Sequence, residues 1–580
     1  MEVSYVDIYE KIVELLKRRG FLWPSFEIYG GLRGFVTYGP LGIELKHRIE
    51  EKWREWFIYK QGFVEIESPI VMPEVIFKAS GHLDHFTDPV VECLNCKRKF
   101  RADHIIEEAT GKVVEGLSTE EIEEIIEKEN IKCPECGGQL SRVSQFNLMF
   151  KTTIGPYGEN RGYARPEAAQ GMFVEFKRIF TVTREKLPLG IAQIGKVLRN
   201  EISPRKGLIR LREFTIMEVE VFVDPENLSC PKFSEVEDEE LKLVTAEMRA
   251  RNEEEPLIVT AREAVDKGYI SAEWQAYFMV ISKYFISSLG IPWERQRFKE
   301  QMPWEKAHYS KQTFDHEIYL KRFGWVEVAG HAYRTDYDLK RHMEHSRVDL
   351  TVFKRFKEPQ IIEKIVVQPL KEIIKSDFGD NAQKVFSVLK NVDPTDIKVA
   401  FDKKGYYEFN GIRIEPKHVK IEKKTEKITG RRFIPHVFEP SFGADRLVYA
   451  TLECNYSVKE NRVVLRLPRD LAPIQVAVFP LVNKDNLPSI AQKIWMTLRD
   501  EGIRTVYDDS GSIGRRYARA DEIGVPIAVT IDYQTQKDFT VTLRDRDTWQ
   551  QIRVSVNDLT SELLDYFRGR KSFDELGEKL

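Results

Sequence analysis

The sequence predicts an α/β protein of several domains with antiparallel strands at its centre, and three observations carry that reading. Val197, Arg199 and Glu201 alternate along one segment, and Phe214, Ile216, Glu218 and Glu220 along the next. Residues two apart on a strand share a face, and the intervening Ile202-Ser203-Pro204-Arg205-Lys206-Gly207 carries turn residues and two cations, so the pair reads as a hairpin with a basic tip. Two Cys-x-x-Cys pairs, Cys93/Cys96 and Cys133/Cys136, mark a small inserted module. After Leu467-Pro468, apolar strands alternate with helices, the pattern of a compact α/β domain with a largely parallel sheet.

A length of 580 residues leaves room for roughly three to five domains. The 89 Lys and Arg nearly balance 92 Asp and Glu, for a net charge of −3. Overall charge therefore gives no argument for nucleic acid, and any basic surface must be local. Apolar runs fall short of a membrane span, and the acidic start Met1 to Asp7 leads into an amphipathic helix (Val6, Ile12, Leu15, Leu16), unlike a signal peptide. Six cysteines, four of them in pairs, point to a reducing compartment and a metal, not to a disulfide framework. A cytoplasmic, non-membrane protein is expected.

Taken in chain order, Leu45, Ile49, Trp53, Trp56 and Phe57 give a broad apolar helical stripe over 43–59, ended by Gln61-Gly62 and followed by the strand Phe63–Ile66 and Pro69. Such a stripe serves a core or a subunit interface. Four thiolates at 93, 96, 133 and 136, with Gly137-Gly138 after the second pair, suit a closed tetrahedral zinc site, a redox dithiol being the alternative. Between the pairs, Ser118 and Glu121 form a capping box for a helix with Ile122, Ile125 and Ile126 on one face. The Lys-rich stretch 350–430 reads as an insertion with a helix over Ile361–Ser376 and strands near Tyr406–Gly411. In the last domain, Arg515, Arg516, Arg519, Arg544 and Arg546 read either as a nucleic-acid surface or as ordinary surface charge.

One face of the central hairpin would offer an Arg for a phosphate, a Glu for an exocyclic amine and a Phe for a base; an ion-paired surface hairpin is the plainer reading. The motifs decide between them. Helix, strand and Pro69, then Arg199-Asn200-Glu201 through Phe214, then Glu439-Pro440-Ser441-Phe442-Gly443-Ala444-Asp445-Arg446, resemble in order the three motifs of class II aminoacyl-tRNA synthetases. Arg165-Pro166-Glu167-Ala168-Ala169-Gln170-Gly171 is similar to the segment that marks the homodimeric glycyl-tRNA synthetases. Gly330-His331-Ala332-Tyr333-Arg334 departs from that family's pattern, placing Tyr333 where it has an Asp.

The resemblance covers nearly the whole chain. It implies a class II antiparallel sheet flanked by helices, divided as 1–92 (core with dimer motif), 93–140 (zinc-ribbon-like insertion), 141–348 (core), 349–432 (α+β insertion), 433–467 (core) and 468–580 (anticodon-binding domain). The implied partners are ATP, glycine, tRNA(Gly) and a second copy of the chain. The implied chemistry is glycyl-adenylate formation with release of pyrophosphate, then transfer to the 3′ end of tRNA with release of AMP. Arg199 would clamp the α-phosphate and attacking carboxylate, Arg446 the γ-phosphate, and Arg210 a further phosphate. Glu201 and Phe214 would take adenine, with Asn200, Leu211 and Val328 beside them. Glu327 would hold magnesium with help from Glu439. Glu167, Glu218, Glu439, Pro440 and Ser441 would form the glycine site, where Arg165 or Arg212 could instead pair with the glutamates. Arg205 and Lys206 would meet the tRNA acceptor end, and Arg515, Arg516 and Arg544 the anticodon. The alternatives are an enzyme of the same class for another small amino acid, or a paralogue that binds without catalysis; the latter would be expected to have lost Arg199, Glu201 or Arg446.

Overall fold

The computed structural model describes residues 5–580 apart from 113, 115, 157, 203, 205 and 206. Its largest element is a nine-stranded sheet: β1 (Val64–Glu65), β2 (Leu189–Leu198), β3 (Glu213–Val223), β4 (Glu240–Val244), β5 (Leu257–Thr260), β6 (Gln296–Glu300), β7 (Gln312–Leu320), β8 (Gly324–Thr335) and β9 (His436–Gly443). The spatial order is β5-β4-β6-β7-β8-β9-β3-β2-β1. Every pairing is antiparallel except β4 with β6 and β2 with β1.

One face of this sheet is dry. Helix α1 (Tyr5–Arg18), α2 (Pro40–Arg54), α4 (Glu273–Ser288) and α6 (Ala444–Cys454) bury their apolar sides there. The α2 stripe belongs to this core: Trp53 stacks on Phe57 at 5.5 Å, and Phe57 lies 4.8 Å from Phe442 of β9. The opposite face carries α3 (Ala169–Val182) at one end, with Phe173 and Phe176 on Phe222 of β3, and the polar site at the other.

The module that begins at Cys93 has its own small core of Val91, Phe100, Ile106, Ile122 and Ile126, and Ser118 and Glu121 form the expected capping box. The C-terminal sheet is made of β10 (Val476–Pro480), β11 (Thr505–Tyr507), β12 (Ile527–Ile531), β13 (Thr540–Asp545), β14 (Gln551–Ser555) and β15 (Glu578–Lys579), in the order β11-β10-β12-β13-β14-β15. Only β10 with β11 and β10 with β12 are parallel, so the sheet is mixed and not largely parallel; short turns join β13 to β14 and force reversal.

Residues 351–434 form a separate compact unit. Its first element corrects the helix expected over 361–376. Val352–Pro369 is one long strand paired with Val419–Phe433, and the helix occupies only Lys371–Phe378. The β-branched run Ile361-Ile362 and Ile365-Val366-Val367 favours extended backbone, and Pro369 ends it.

Candidate active site on the polar face of the sheet

On β3, Phe214, Ile216, Glu218 and Glu220 share one face; β9 lies alongside with Glu218 opposite Ser441. Glu439 and Ser441 therefore point to the same side, and Pro440 points to the other, away from the site the sequence assigned it to. On β8, Gly330 and Ala332 face Ser441 and Glu439. A bulge where His316 pairs Ala329 but Glu317 pairs Glu327 turns the odd-numbered Glu327 onto the face that the even-numbered Gly330 occupies. Of these, Ile216, Glu218, Glu327, Gly330, Ala332, Glu439 and Ser441, with Glu167 and Arg199, line a cavity of about 810 Å³.

The deep end of the cavity is organised by Arg334, which sequence reasoning did not assign. It is fully buried. Its guanidinium donates to Asp338 at 2.9 and 3.0 Å, to Glu439 at 3.0 Å and to Glu167 at 3.3 Å, and the Tyr309 ring covers it at 3.7 Å. Gln170 donates to both Glu167 (2.9 Å) and Asp338 (2.8 Å), and His82 Nε2 lies 3.5 Å from Glu167. Glu218 accepts from the Ala168 amide at 2.6 Å and from Ser441 Oγ at 2.9 Å. The glutamates thus pair with Arg334, not with Arg165 or Arg212. Arg165 is tied to the carbonyls of Lys196 and Ser68, and Arg212 to those of Glu201 and Arg33. Nothing in the sequence linked Arg334 to Glu167, since the two meet only through folding.

Electrostatics divide the carboxyls. Burial alone would raise Glu167, but the Arg334 charge and His82 outweigh it and hold Glu167 well below the usual range. Burial and the Glu167 charge push Glu218 up, and burial with neighbouring carboxyls pushes Glu439 to about 8 despite Arg334. The Arg334 bond engages one oxygen of Glu439 at this end of the cavity. Asp315 of β7, opposite Gly330, lines the same cavity as Glu327; burial and the Glu327 charge raise it well above its ordinary value.

A second recess adjoins the first. Arg199, Glu201, Arg210, Leu211, Phe214, Glu327, Val328 and Arg446 line it. The strand β2 ends at Leu198, so Arg199 and Glu201 lie just past it, in a longer loop than expected. Arg199 Nε donates to the Pro166 carbonyl at 3.1 Å, and its guanidinium lies 5.3 Å from the Phe214 ring centre. Arg210 pairs with Glu201 at 2.6 Å, and Arg446 donates to the Ile209 carbonyl at 3.0 Å and to the Glu327 carboxylate at 3.0 Å. Asn200 lines neither cavity; its amide donates to the Leu148 carbonyl. Asp445 is structural, accepting from Tyr38 at 2.7 Å and from the Thr215 amide at 2.6 Å. Arg199, Ile216, Glu327 and Ser441 line both spaces, which makes them one bipartite site.

Residues 153–246 match the class II core domain of the synthetases designated G, H, P, S and T, and residues 475–566 match the anticodon binding domain. A glycine–tRNA ligase of Aeropyrum pernix is 49% identical over 577 residues, 98% of this chain and 99% of its own. Those of Pyrococcus horikoshii (49% over 567 residues; 97% and 99%) and Methanocaldococcus jannaschii (48% over 575 residues; 97% and 99%) are similar over the same extent. The chain belongs to the glycine–tRNA ligase family. Within that family's pattern, the departure at Tyr333 leaves β8 paired to β9: Tyr333 lies on the dry face, stacked on Phe438 at 4.4 Å, with its hydroxyl bonded to His436 at 2.7 Å.

The remaining family features divide. The four thiols of Cys93, Cys96, Cys133 and Cys136 lie within 4.8 Å of one another, with Sγ–Sγ distances of 3.5 Å (Cys93–Cys136) and 3.7 Å (Cys96–Cys133). Tetrahedral zinc with Zn–S of about 2.3 Å needs sulfurs about 3.8 Å apart, so the donor set fits. The Cys96 amide donates to Cys93 Sγ and draws that thiol down to about 6. In the anticodon-binding domain, two of the three arginines proposed from sequence are structural. Arg516 is buried and donates to the carbonyls of Pro480, Asp509 and Gly511. Arg544 is buried in a two-pronged pair with Asp521 at 2.9 and 3.0 Å. Arg515 alone of the three is exposed. Arg205 and Lys206 lie outside the described residues. Among the described residues, no helix is long and apolar enough to cross a membrane.

Proposed function

We propose that this chain is a glycine–tRNA ligase that activates glycine with ATP as the glycyl adenylate and transfers it to the 3′ end of tRNA(Gly). The observation that carries this reading is the position of Arg199, at the junction between the acid-lined cavity and the recess beside Phe214. A planar guanidinium there would hold an α-phosphate oxygen and the attacking carboxylate together, which lowers the barrier by orientation and charge stabilisation without a covalent enzyme intermediate.

The other residues take roles around that point. Phe214 offers a stacking face for adenine and Glu201 an acceptor for its amine, with Leu211 and Val328 as apolar walls. Binding would exchange the Glu201–Arg210 pair for contacts to the nucleotide and free Arg210 for phosphate. Arg446 would hold the γ-phosphate of a bent triphosphate. Glu327, with Asp315 on the neighbouring strand, offers carboxylates suited to magnesium, which when bound screens the phosphate charge. Glu167, Glu218, Glu439 and Ser441 supply acceptors for the glycine ammonium. Attraction does not reject alanine, since a methyl in an accommodating pocket changes binding by only roughly 1–3 kcal/mol. Ser441, Glu439, Glu218 and Tyr309, which line this cavity, would instead exclude it sterically.

The same reading gives zinc a structural role at the four cysteines, the exposed Arg515 and the residues Arg205 and Lys206 contacts to tRNA, and the protein a cytoplasmic, homodimeric existence. The division into core, zinc module, middle insertion and anticodon-binding domain follows the boundaries given above. Amino-acid-dependent ATP–pyrophosphate exchange tests the reading. Exchange with glycine alone, lost by a factor of roughly 10² or more in Arg199→Ala, is the expected result. Exchange with alanine or serine would overturn the pocket, and none with any amino acid would overturn the catalytic reading.

A further inference from the structure

A buried, unpartnered carboxyl lies one step deeper than the proposed glycine site. Glu220 of β3 is fully buried, and neither of its carboxyl oxygens has a hydrogen-bond partner. It follows Glu218 on the same face. The register from Glu218 opposite Ser441 to Val221 opposite Phe438 sets Glu220 across from Glu439. Residues directly opposite in an antiparallel pair hold their Cβ atoms about 4.5–5.5 Å apart, within reach for two glutamates. Beyond Glu220 on that face, Phe222 is closed over by Phe173 and Phe176.

An ionised Glu220 would therefore face an apolar wall on one side and a second carboxyl on the other, with no donor for either oxygen. The charged and titratable groups around it are Glu218 on its own strand, Glu439 on β9, Arg334 on β8, and Asp338 on α5 (Tyr337–Ser346), with Glu167 and His342 beyond them. The one cation, Arg334, spends its donors on Asp338, Glu439 and Glu167. Five carboxyls around a single guanidinium cannot all be charged in a buried site. Glu220 has the least to stabilise its charge, and burial together with Glu439 drives its carboxyl well above the ordinary range.

We propose that Glu220 is a positioning residue of the amino-acid site, a neutral carboxylic acid whose hydroxyl, unpartnered in the free protein, turns to donate to Glu439 when substrate binds and stabilises it as the ionised partner of the substrate ammonium. The inference rests on the reading of Glu439 as part of the glycine site. On binding, the ammonium and the Glu220 hydroxyl act together on Glu439. The Glu439 proton leaves to solvent, Glu220 keeps its own, and the complex gains one positive substrate charge against one new carboxylate. Glu220 touches no reacting atom. It would act through the substrate's amino group, so its effect belongs in the binding of glycine and not in the chemical step.

Infrared spectroscopy of the whole protein and exchange kinetics on Glu220→Gln and Glu220→Met test this. At neutral pH the wild-type spectrum should hold a protonated-carboxyl carbonyl band that Glu220→Gln removes. Glu220→Met, which matches the volume without a donor, should raise the glycine KM by roughly tenfold or more, the worth of a hydrogen bond to a charged group, with kcat nearly unchanged. Glu220→Gln keeps a donor and should restore most of that loss. A wild-type KM in Glu220→Met would overturn the proposal, as would equal losses in both variants or the absence of a Glu220-dependent band. Should Glu220→Met fail to fold, the band and the Glu220→Gln kinetics still decide. Glu218→Gln separates the two readings: an unchanged glycine KM there refutes the glycine site itself, whereas the band would persist.

Discussion

As part of the proposed glycine site, Glu439 would couple proton binding to substrate binding. Its carboxyl, pushed to about 8 by burial against neighbouring acids, would ionise only near the top of the physiological range, whereas an exposed glutamate would do so near 4.5. Folded protein therefore holds a proton that unfolded chain has lost between those two values. This group's contribution to stability is complete below 4.5 and is lost as pH rises toward 8. In the proposed glycine site the substrate would reverse the balance, because its ammonium favours the carboxylate. The glycine KM should thus fall as pH rises, by up to about tenfold per unit below pH 8, and level off above it. Initial rates of pyrophosphate exchange at varied glycine and pH measure this, and a KM independent of pH would refute it. A Glu439→Gln variant should lose both dependences. At this scale the sequence was a good guide to the acids, because Glu218 and Glu220 alternate on a visible strand and Glu439 sits in a motif. It was a poor guide to Arg334, a residue amid strand apolars whose partners Glu167 and Glu439 lie 167 and 105 positions away.

Elements were legible where local pattern and tertiary packing agree. The α2 stripe, the capping box at Ser118 and the central hairpin all follow from periodicity and caps, and the structure contains each. Short apolar runs do not distinguish strand from helix, so Ile361–Ser376 reads as helix in the sequence alone; the pairing of Val352–Pro369 with Val419–Phe433 lies in contacts between distant segments. Arginines on helices and strand ends read as surface charge for a related reason: charge in a sequence does not declare burial. Arg544 reaches from β13 to Asp521 on α7 (Ile513–Glu522), both nearly inaccessible, and so pins that helix to the sheet. Removing one partner leaves the other charge buried and unpaired, at a cost of about 3–5 kcal/mol. Arg544→Ala should therefore lower the thermal transition of the C-terminal domain by several degrees, and Arg515→Ala should not move it. Equal melting of Arg544→Ala and the parent protein would return Arg544 to the list of free surface cations.

The whole molecule assembles one site from segments scattered between Glu167 and Arg446, and it does so across a large insertion. The chain leaves the main sheet after β8 and α5, builds the unit 351–434, and returns to β9. Departure and return are adjacent, since Val352 pairs with Phe433 in an antiparallel register and such partners have Cα atoms about 4.5–5.5 Å apart. The insertion also has its own core, with Ile374, Val385, Leu389, Ile397 and Ile414 buried together. A segment whose ends already touch and whose apolar residues are mutually satisfied contributes little to the fold that carries it. Replacing residues 353–432 by a two-residue Asn-Gly turn, which suits a hairpin of this kind, should leave β8 and β9 paired and Glu439, Ser441 and Arg446 in place. The shortened protein should retain glycine-dependent pyrophosphate exchange at the parental rate and melt no lower than the parent. Loss of exchange with intact folding, read by circular dichroism, would mean that the insertion is part of the adenylation site. Charging of tRNA(Gly) by the same protein is then the informative comparison: exchange without charging would assign the insertion's Lys-rich strands to the second step, where the substrate is RNA.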